Sequence, residues 1–465
     1  MTPFVGPSYN LALRKADIQR SVNLHLVGLE TPGKAPFVLQ SVPGYTLYAT
    51  GPSAVRGCIT TNDRCFFVFG SGLYEVANGG ATLKGTLLSS TGPVDMAYGI
   101  TQLVIVDGSS GYVLTLASDE FVQITAEGFY GSQTVTFIDN YFLFVRPSTG
   151  QFYISAINDA LTFDALDFAT AESQPDNLVA IVAVQRRALL MGAINTEIWS
   201  DSGGADFPFE REGTTIEVGC MAPHSVQVVD NTAFWLGGDR NGSGIVYRLN
   251  GYQAQRISTQ GVEQALQGST DISRATSYAY QENGLTFYAL NAPGLKATWV
   301  YEVSSGAWHE RCDLDGYGQF KADRGVCHAF FEGHHLIGGS DGKVYRLDRA
   351  VHRKASDPLA QERVSPHAAA PGLKTTFFDA FHLDCTTGEA PQGEDPHVEL
   401  SWSDDSGANW SNPVSMSIGK VGQRFARLTW RRLGAARDRV WKLRHSANAR
   451  FDIVNVQIDT HQGNT

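Results

Sequence analysis

The sequence predicts an all-β protein, in which a β-propeller of about seven blades is followed by a small C-terminal antiparallel β-sandwich. Three observations support this prediction. Of the 465 residues 48 are glycine, a three-stranded unit recurs along the first 350 residues, and apolar residues alternate at period two in the tail. Glycine weakens helix interiors and permits tight turns, so this composition favours many short strands.

Length and composition narrow the class of protein. A chain of 465 residues exceeds one ordinary domain of roughly 100 to 200 residues, which indicates a large β unit with an appendage. The apolar fraction of 43 % and the charged fraction of 18 % exclude a disordered, collagenous or coiled-coil protein.

The repeated unit consists of three apolar strands joined by short polar or glycine-containing turns. Its first copies span Val55–Val76 and Val94–Leu116. The second strands of successive units lie on average 45 residues apart, at Cys65, Leu103, Tyr141, Ala188, Ala233, Leu285 and His335. This period is typical of a β-propeller. A count of six or eight blades is also compatible with the sequence, since residues 161–216 and 37–48 could each add or complete a blade.

The pattern divides the chain into four parts. Residues 1–36 are predicted to form an N-terminal arm, and residues 37–350 the propeller. The stretch Phe37–Tyr48 is expected to pair with the last blade and close the ring. Residues 351–373 collect Ala, Pro and charge without strand alternation and are interpreted as a linker. The C-terminal β-sandwich domain is assigned to residues 374–465.

One turn motif stands out in the tail. Ser403, Asp405, Gly407 and Trp410 have the Ser-x-Asp-x-Gly-x-x-Trp spacing of the Asp-box found in sialidases and related propellers. Asp405 can accept hydrogen bonds from turn amides, and Gly407 supplies a conformation that other residues resist. We interpret the motif as a structural turn and not as a catalytic centre.

Charge is distributed unevenly. Residues 1–350 carry 22 basic and 34 acidic side chains, whereas residues 351–465 carry 14 and 13. The segment from Glu389 to Asp405 has six acids and no base, and the segment from Lys420 to Arg450 has ten bases and one acid. One interpretation is a solvated strand face beside an acidic strand. The other is a docking surface for an acidic subunit or adaptor, or for a nucleic acid backbone.

We favour the subunit, because base-stacking aromatic residues are not interleaved with the arginines. The candidate docking residues are Arg424, Arg427, Arg431, Arg432, Arg437, Arg439, Lys442 and Arg444.

No spacing points to catalysis, a metal or a cofactor. There is no C-x-x-C or H-x-x-x-H pair and no phosphate-binding loop in the sequence. The six cysteines are too sparse for a disulfide framework and are expected to be reduced. We also expect no export signal and no membrane-spanning segment, because no apolar run approaches about 18 residues.

Four stretches resemble the packaged-DNA stabilisation proteins of short-tailed bacteriophages, also called tail hub or nozzle proteins. They are AESQPDNLVAI (171–181), NTEIWSDSGGADFPFERE (195–212), TWVYEVSSGAWHER (298–311) and the tail from 400 to 444. The resemblance covers most of the chain.

The resemblance implies a structural virion protein of the tail that is not an enzyme and is assembled in the host cytoplasm. Similar proteins form a hexameric ring below the portal and its adaptor ring and close the DNA exit channel. They also present sites for tailspikes or fibres and for the tail needle. Viral DNA is expected to pass without sequence-specific binding, along a wall whose acidic residues repel it.

Two alternatives remain at this stage. The first is a carbohydrate-binding or sialidase-like propeller tail protein acting on host glycans, which requires several Arg, a Tyr and a Glu in the axial funnel. The second is a bacterial propeller that serves as a general interaction platform.

Overall fold

Strands make up nearly all the regular structure of the computed structural model, which describes residues 4–31, 33–204, 206–239, 242–370, 372 and 374–463. In this part of the chain the α-helical content is a single helix, α1 (Gln260–Leu266), and short 3-10 turns lie at Pro223–Ser225 and Ile272–Arg274. The predicted fold class, a propeller followed by a sandwich, is confirmed.

The chain forms five strands before the first blade. They are β1 (Tyr9–Asn10), β2 (Ile18–Val22), β3 (Leu24–Gly28), β4 (Phe37–Ser41) and β5 (Gly44–Thr50). The first four blades are antiparallel sheets of four strands in chain order. Their strands are β6 (Val55–Thr60), β7 (Cys65–Phe69), β8 (Gly72–Ala77), β9 (Gly80–Thr86), β10 (Asp95–Tyr98), β11 (Gln102–Val106), β12 (Gly111–Thr115), β13 (Glu120–Gln123), β14 (Val135–Ile138), β15 (Tyr141–Val145), β16 (Gln151–Ile154), β17 (Phe168–Thr170), β18 (Leu178–Val184), β19 (Arg187–Gly192), β20 (Thr196–Asp201) and β21 (Phe209–Ile216).

Three further blades complete the ring. The fifth contains β22 (Gly219–Cys220), β23 (Gln227–Val229), β24 (Thr232–Asp239), β25 (Gly242–Asn250) and β26 (Gln253–Arg256). The sixth contains β27 (Thr276–Glu282), β28 (Leu285–Asn291), β29 (Thr298–Glu302) and β30 (Ala307–Leu314), with β31 (Phe320–Ala322) paired to the end of β30. The seventh contains β32 (Gly325–Phe331), β33 (His334–Gly339) and β34 (Lys343–Asp348), and its fourth strand is β5 from the N-terminal region. This pairing closes the ring.

The propeller core consists of seven apolar clusters, one at each boundary between adjacent blades. The period-two alternation of the strands explains this arrangement. In β7, Phe67 and Phe69 pack toward the seventh blade, whereas Phe66 and Val68 pack toward the second. Both faces of each blade are therefore buried, and the circle of clusters gives the seven blades that the repeat predicts.

After the seventh blade, a short hairpin of β35 (Arg353–Lys354) and β36 (Asp357–Pro358) extends the sheet of that blade at β5. The remaining strands form two facing sheets with β2, β3 and β4. They are β37 (Gln361–Val364), β38 (Thr376–Cys385), β39 (His397–Ser403), β40 (Val414–Ser417), β41 (Leu428–Arg431), β42 (Ala435–Ala436), β43 (Val440–His445) and β44 (Ile453–Gln462). One sheet has the order β2-β37-β43-β39-β40, and the other β3-β4-β44-β38-β41. Their shared core includes Phe381, Trp430 and Trp441 together with Leu24 and Leu39 from the N-terminal region.

Strand β2 joins the two domains. One of its edges pairs with β37 of the sandwich, and the other pairs in parallel with β30 of the sixth blade, where Val22 lies opposite Glu310. A continuous sheet of eleven strands therefore extends from the propeller into the sandwich.

Three of the predicted boundaries are wrong. Residues 1–36 are not a separate arm, because β2 and β3 are strands of the sandwich sheets and Phe4 lies in their core. Phe37–Ser41 pairs with β3 and β44, so only the part from Gly44 onward closes the propeller. The predicted linker contains β35, β36 and β37, and β37 is an inner strand between β2 and β43.

Tight turns connect the inner two strands of several blades. Asp139–Asn140 and Asn283–Gly284 have left-handed backbone angles at both positions, as expected of two-residue hairpins with the twist of the flanking strands. The corresponding turn of the fourth blade is Gln185–Arg186, with φ of 49° and 63°. Neither residue favours this conformation, which costs roughly 1–2 kcal/mol per residue for side chains other than Gly, Asn or Asp.

We expect the double substitution Gln185→Asn with Arg186→Gly to raise the free energy of unfolding by about 1–2 kcal/mol, because it relieves both strained positions. The change also removes the exposed ion pair of Arg186 with Asp139 (2.7 Å), which contributes less than about 1 kcal/mol. Urea unfolding measures the difference. The matched control is the reverse change at the sixth blade, Asn283→Gln with Gly284→Arg, which should destabilise the protein. A less stable Gln185→Asn, Arg186→Gly variant would contradict the assignment of strain.

Candidate interaction surfaces

The inner strands of the seven blades surround an axial cavity of ≈ 340 Å³. Its described lining is mostly small and apolar, and its charged or titratable side chains are Arg56, Asp95, His224 and His328 together with two cysteine thiols and Tyr278. Burial raises the pKa of Asp95 to about 6, although its carboxylate accepts hydrogen bonds from the amides of Val135 (2.9 Å) and Met96 (3.0 Å). Burial also lowers the pKa of His224 to about 4. At neutral pH the Asp95 carboxylate is therefore mostly ionised and opposes the charge of Arg56, while His224 is neutral, so the cavity has little net charge.

The cavity lacks the side chains that a sialidase-like site requires. Among its described lining residues there is one arginine, one tyrosine and no glutamate. The guanidinium of Arg56 is fully occupied, since it donates to the carbonyl oxygens of Gly70, Gly92, Ser89 and Thr91 at 2.6–2.9 Å. The described lining therefore contains no cluster of arginines that could bind a substrate carboxylate.

The Asp-box residues form a closed turn between β39 and β40. The Ser403 hydroxyl donates to the Asp405 carboxylate (2.7 Å) and accepts from the Gly407 amide (2.8 Å). Asp405 also accepts from the amide and side chain of Asn409 (2.9 and 2.7 Å), and these hydrogen bonds lower its pKa to about 2. Gly407 has φ of +80°, and an added Cβ would lie 2.8 Å from the Ile18 side chain. Trp410 packs against the cluster that Ile18 belongs to.

The predicted docking residues divide into three groups. Five are exposed around β41, the edge strand of its sheet, and form what we call the basic edge: Arg424, Arg427, Arg431, Arg432 and Arg437. None of these five side chains hydrogen-bonds or ion-pairs with another described residue. Sequence reasoning missed Phe425, which lies between two of them and is 100 % exposed. Its position next to arginines is visible in the sequence, but its exposure is not.

Arg439 is the second group, and the prediction that it belongs to a docking surface is wrong. Its side chain is 2 % exposed and forms two hydrogen bonds with the Asp404 carboxylate, at 2.6 and 2.7 Å. It also lies against the rings of Phe378 and Trp441. Arg439 therefore connects Asp404, at the end of β39, to the aromatic core of the sandwich.

Lys442 and Arg444 are the third group. They lie on β43, in the other sheet of the sandwich, where Trp441 and Leu443 point into the core and the intervening residues point outward. Both line a cavity of ≈ 290 Å³ at the junction with the propeller. The exposed basic residues of the segment 424–444 thus lie on two separate surfaces, the basic edge and the junction cavity.

Two models of known protein families match the chain, one for each domain. Residues 19–352 match the family model described as bacteriophage P22 Gp10, beta-propeller, and residues 362–461 match that described as bacteriophage P22 Gp10, beta-sandwich. The chain belongs to the bacteriophage P22 Gp10 family. It is therefore a structural protein of the phage tail. The resemblance inferred from the four sequence stretches is confirmed.

Solved structures similar to this Gp10-family chain include several propellers. The N-terminal domain of Nup159 is 10 % identical, with 71 % of this chain and 98 % of that chain covered and a TM-score of 0.41. PorZ of Porphyromonas gingivalis is 11 % identical, with 80 % and 46 % covered and a TM-score of 0.42. The propeller domain of Cps50 (Swd1) from Myceliophteria thermophila is 10 % identical, with 66 % and 99 % covered and a TM-score of 0.41. No curated protein matches the chain.

Several site classes have no candidate in the described ranges of the Gp10-family chain. These ranges contain no group of three or more His, Cys, Asp or Glu side chains arranged to hold a metal ion. They also contain no helix with the length and apolarity to cross a membrane. The six cysteines are free, and Cys65, Cys220 and Cys312 are buried.

Sequence reasoning also missed a polar junction between the two domains. Arg20 binds Glu310 of the sixth blade at 2.6 Å, and its other nitrogen lies 3.5 Å from Glu362 of β37. The Asn23 side chain donates to the carbonyl oxygens of Cys312 and Ala360 (2.9 and 2.7 Å). These partners are about 300 residues apart in sequence, and no local pattern in the sequence announces them.

The junction also contains buried histidines. His25 of β3 packs edge-on against Phe287 (5.4 Å between ring centroids) and lies 5.8 Å from His309 of β30. Burial, together with the charges of Arg349 and Arg311, lowers the pKa of His25 to about 3. Burial lowers the pKa of His309 as well, and that of His328 to about 3. These imidazoles are neutral in the folded protein at neutral pH.

We expect the Gp10-family chain to lose stability as the pH falls from about 6.5 to 4. The folded-state pKa values of His25, His224 and His328 lie below the ordinary value of 6.5, so the unfolded chain binds more protons in this window. Each such histidine contributes a loss of about 1.4 kcal/mol per pH unit. Asp95 acts in the opposite direction between pH 6 and 4, because its raised pKa makes the folded protein bind a proton that the unfolded chain does not. It therefore offsets part of the stability loss caused by one histidine.

Urea unfolding at pH 7.5 and 5.0 measures this loss. His25→Leu should reduce the difference between the two pH values, because it removes one group that must stay neutral. His334→Leu is the matched control, since that histidine is exposed. Equal stability of the unsubstituted protein at both pH values would contradict the account.

Proposed function

We propose that this chain is the tail hub, or nozzle, of its phage. In this role it joins the portal and adaptor ring complex, closes the DNA exit channel to retain packaged DNA, and anchors tailspikes or fibres and the tail needle. It acts as a homo-hexamer assembled in the host cytoplasm. The observation that carries the proposal is that both domains, residues 19–352 and 362–461, match the Gp10 family.

The size of the axial cavity supports one refinement of this role. Duplex DNA has a major groove of about 12 Å width and a helical turn of about 34 Å. A cavity of ≈ 340 Å³ inside one propeller cannot contain it. The DNA conduit of the proposed hub therefore lies between copies of the chain. We expect the wall of that conduit to be net negative, in keeping with 34 acidic and 22 basic side chains in residues 1–350.

The basic edge supports contact with another protein. Its five arginines form no hydrogen bond or ion pair with the residues that the structure describes, and Phe425 among them is fully exposed. Arginine and aromatic residues are enriched at protein interfaces. An exposed phenyl ring flanked by guanidinium groups fits an apolar depression with an acidic rim on a neighbouring virion protein.

Electron microscopy of the purified chain, alone and with portal and adaptor proteins, tests the proposed hub. We expect sixfold rings that join the adaptor. A monomer that binds neither portal nor adaptor would refute the proposal.

The role of the basic edge is tested by charge reversal. We expect Arg431→Glu with Arg432→Glu to impair particle assembly at least about tenfold while the thermal stability of the isolated chain stays nearly unchanged, because both side chains are exposed and unpaired. Infectious titre and Tm are the measurements. The control is Arg274→Glu with Lys296→Glu, an equal charge change at exposed positions of the propeller. Normal titre in the basic-edge variant would reject the assignment.

A further inference from the structure

The cavity of ≈ 290 Å³ at the domain junction has the features of a binding site. Its walls come from the segment before β2, the β30–β31 hairpin, β37, the Asp-box turn and β43. These elements belong to both domains and are held together by the pairing of β2. The cavity is therefore a permanent part of the junction.

Two cations line this cavity without a carboxylate of the described residues in ion-pair contact, although Glu362 and Glu399 act on Lys442 at longer range. Lys442 and Arg444 are two residues apart on β43, which places them on one face with Cα atoms about 7 Å apart. The Lys442 ammonium lies 4.1 Å from the centroid of the Trp410 ring. The Arg444 guanidinium lies 5.2 Å from that of Phe320 and donates to the Gly318 carbonyl at 3.1 Å. Neither forms an ion pair within the described residues.

The other charges near the cavity are accounted for. Arg20 is paired with Glu310 at 2.6 Å, and Glu362 lies 3.5 Å from the same guanidinium. Glu362 and Glu399 lie opposite Arg444 in the strand register, but neither carboxylate is within 4 Å of it as an ion pair. The exposed Arg14 adds a third cation at the rim. The cavity thus has an excess of positive charge.

Aromatic rings hold the two cations in place and leave their charge available. A cation over a ring is attracted to its face but is not neutralised. Because Trp410 and Phe320 are covered in this way, they do not present open faces for a sugar or a nucleobase. A chemical group that fits between Lys442 and Arg444 is a carboxylate, which accepts charge-assisted hydrogen bonds from both.

The surroundings of the cavity favour a peptide over a small anion. Tyr317, next to the lining residue Gly318, is 92 % exposed, and Leu13, next to Arg14, is 67 % exposed. The loop that bears Tyr317 is fixed, because the Asp315 carboxylate accepts the amides of Tyr317 and Gln319, both at 2.8 Å. A free anion would leave these apolar side chains uncovered, whereas a peptide that places a carboxylate in the cavity covers them.

We propose that this junction cavity binds an acidic peptide segment of a partner virion protein, with Lys442 and Arg444 as the groups that bind its carboxylate. The proposal rests on the proposed hub function for the identity of the partner. A nucleic acid strand is disfavoured, since tracking a phosphate backbone requires a row of cations along a groove.

The test uses the full chain and fluorescein-labelled hexaglutamate amide, followed by fluorescence anisotropy. We expect saturable binding that Lys442→Gln with Arg444→Gln weakens at least about tenfold, because two charge-assisted contacts are lost. Arg274→Gln with Lys296→Gln, an equal charge change at exposed positions of the propeller, should alter the affinity less than about twofold. Lys442→Arg should retain binding within about threefold. Equal losses in the two double variants, or no saturable binding by the unsubstituted chain, would overturn the proposal.

Competitors separate the ligand classes. Displacement of the labelled peptide by 3′-sialyllactose or by a 20-nucleotide oligothymidylate at lower concentration than by unlabelled hexaglutamate would assign the cavity to a glycan or a nucleic acid instead. Circular dichroism establishes that each variant is folded. The assay needs no ring assembly, so loss of peptide binding with intact rings rejects the cavity proposal alone, whereas failure to form rings with the adaptor rejects the hub.

Discussion

The architecture of this protein depends on the hydrogen bonding of one short strand, Ile18–Val22. A strand has two edges, and β2 uses one for the sixth propeller blade and the other for the sandwich. Without it, no sheet would extend from the sixth blade into the sandwich. The domains would then be joined by the chain between β4 and β5, by the chain after the seventh blade, and by side-chain packing such as that of His25 on Phe287. Successive strands of the N-terminal region therefore have three structural roles: β2 bridges the domains, β3 and β4 complete a sandwich sheet, and β5 closes the ring.

The bridge requires that buried polar groups be satisfied across the junction. Arg363 of β37 is fully buried and forms no ion pair within the described chain, with Asp17 acting on it only at longer range. Its guanidinium instead donates to the carbonyl oxygens of Phe4 and Pro7 (2.8 and 2.9 Å) and to the Ser21 hydroxyl (3.0 Å). Burial lowers its pKa to about 9. An unpaired buried charge is strongly destabilising, so the N-terminal segment is needed to solvate this arginine.

The sequence predicts those features that arise from local periodicity. The 45-residue repeat predicts the seven blades, and the two-residue turns such as Asn283–Gly284 predict hairpins. The predicted boundaries fail where partners are distant. Strand β4 pairs with its neighbour β3 on one edge but with the distant β44 on the other, and the four residues of β37 are too short to show alternation. The docking residues are close in sequence but far apart in their surroundings. Arg431 lies on the basic edge, Arg439 is buried against the sandwich core, and Arg444 lines the junction cavity. Only the pairing of strands decides this.

The central claim is that β2 makes the propeller and the sandwich one cooperative body. Native-state hydrogen exchange of the backbone amides, read by mass spectrometry of the peptide containing residues 18–22, tests it directly. We expect these amides to exchange only through global unfolding, with the same free energy and denaturant dependence as amides of β30 and β43, because the strand cannot detach without exposing both domains. Exchange of residues 18–22 through a low-energy local opening, while β30 and β43 stay protected, would contradict the account.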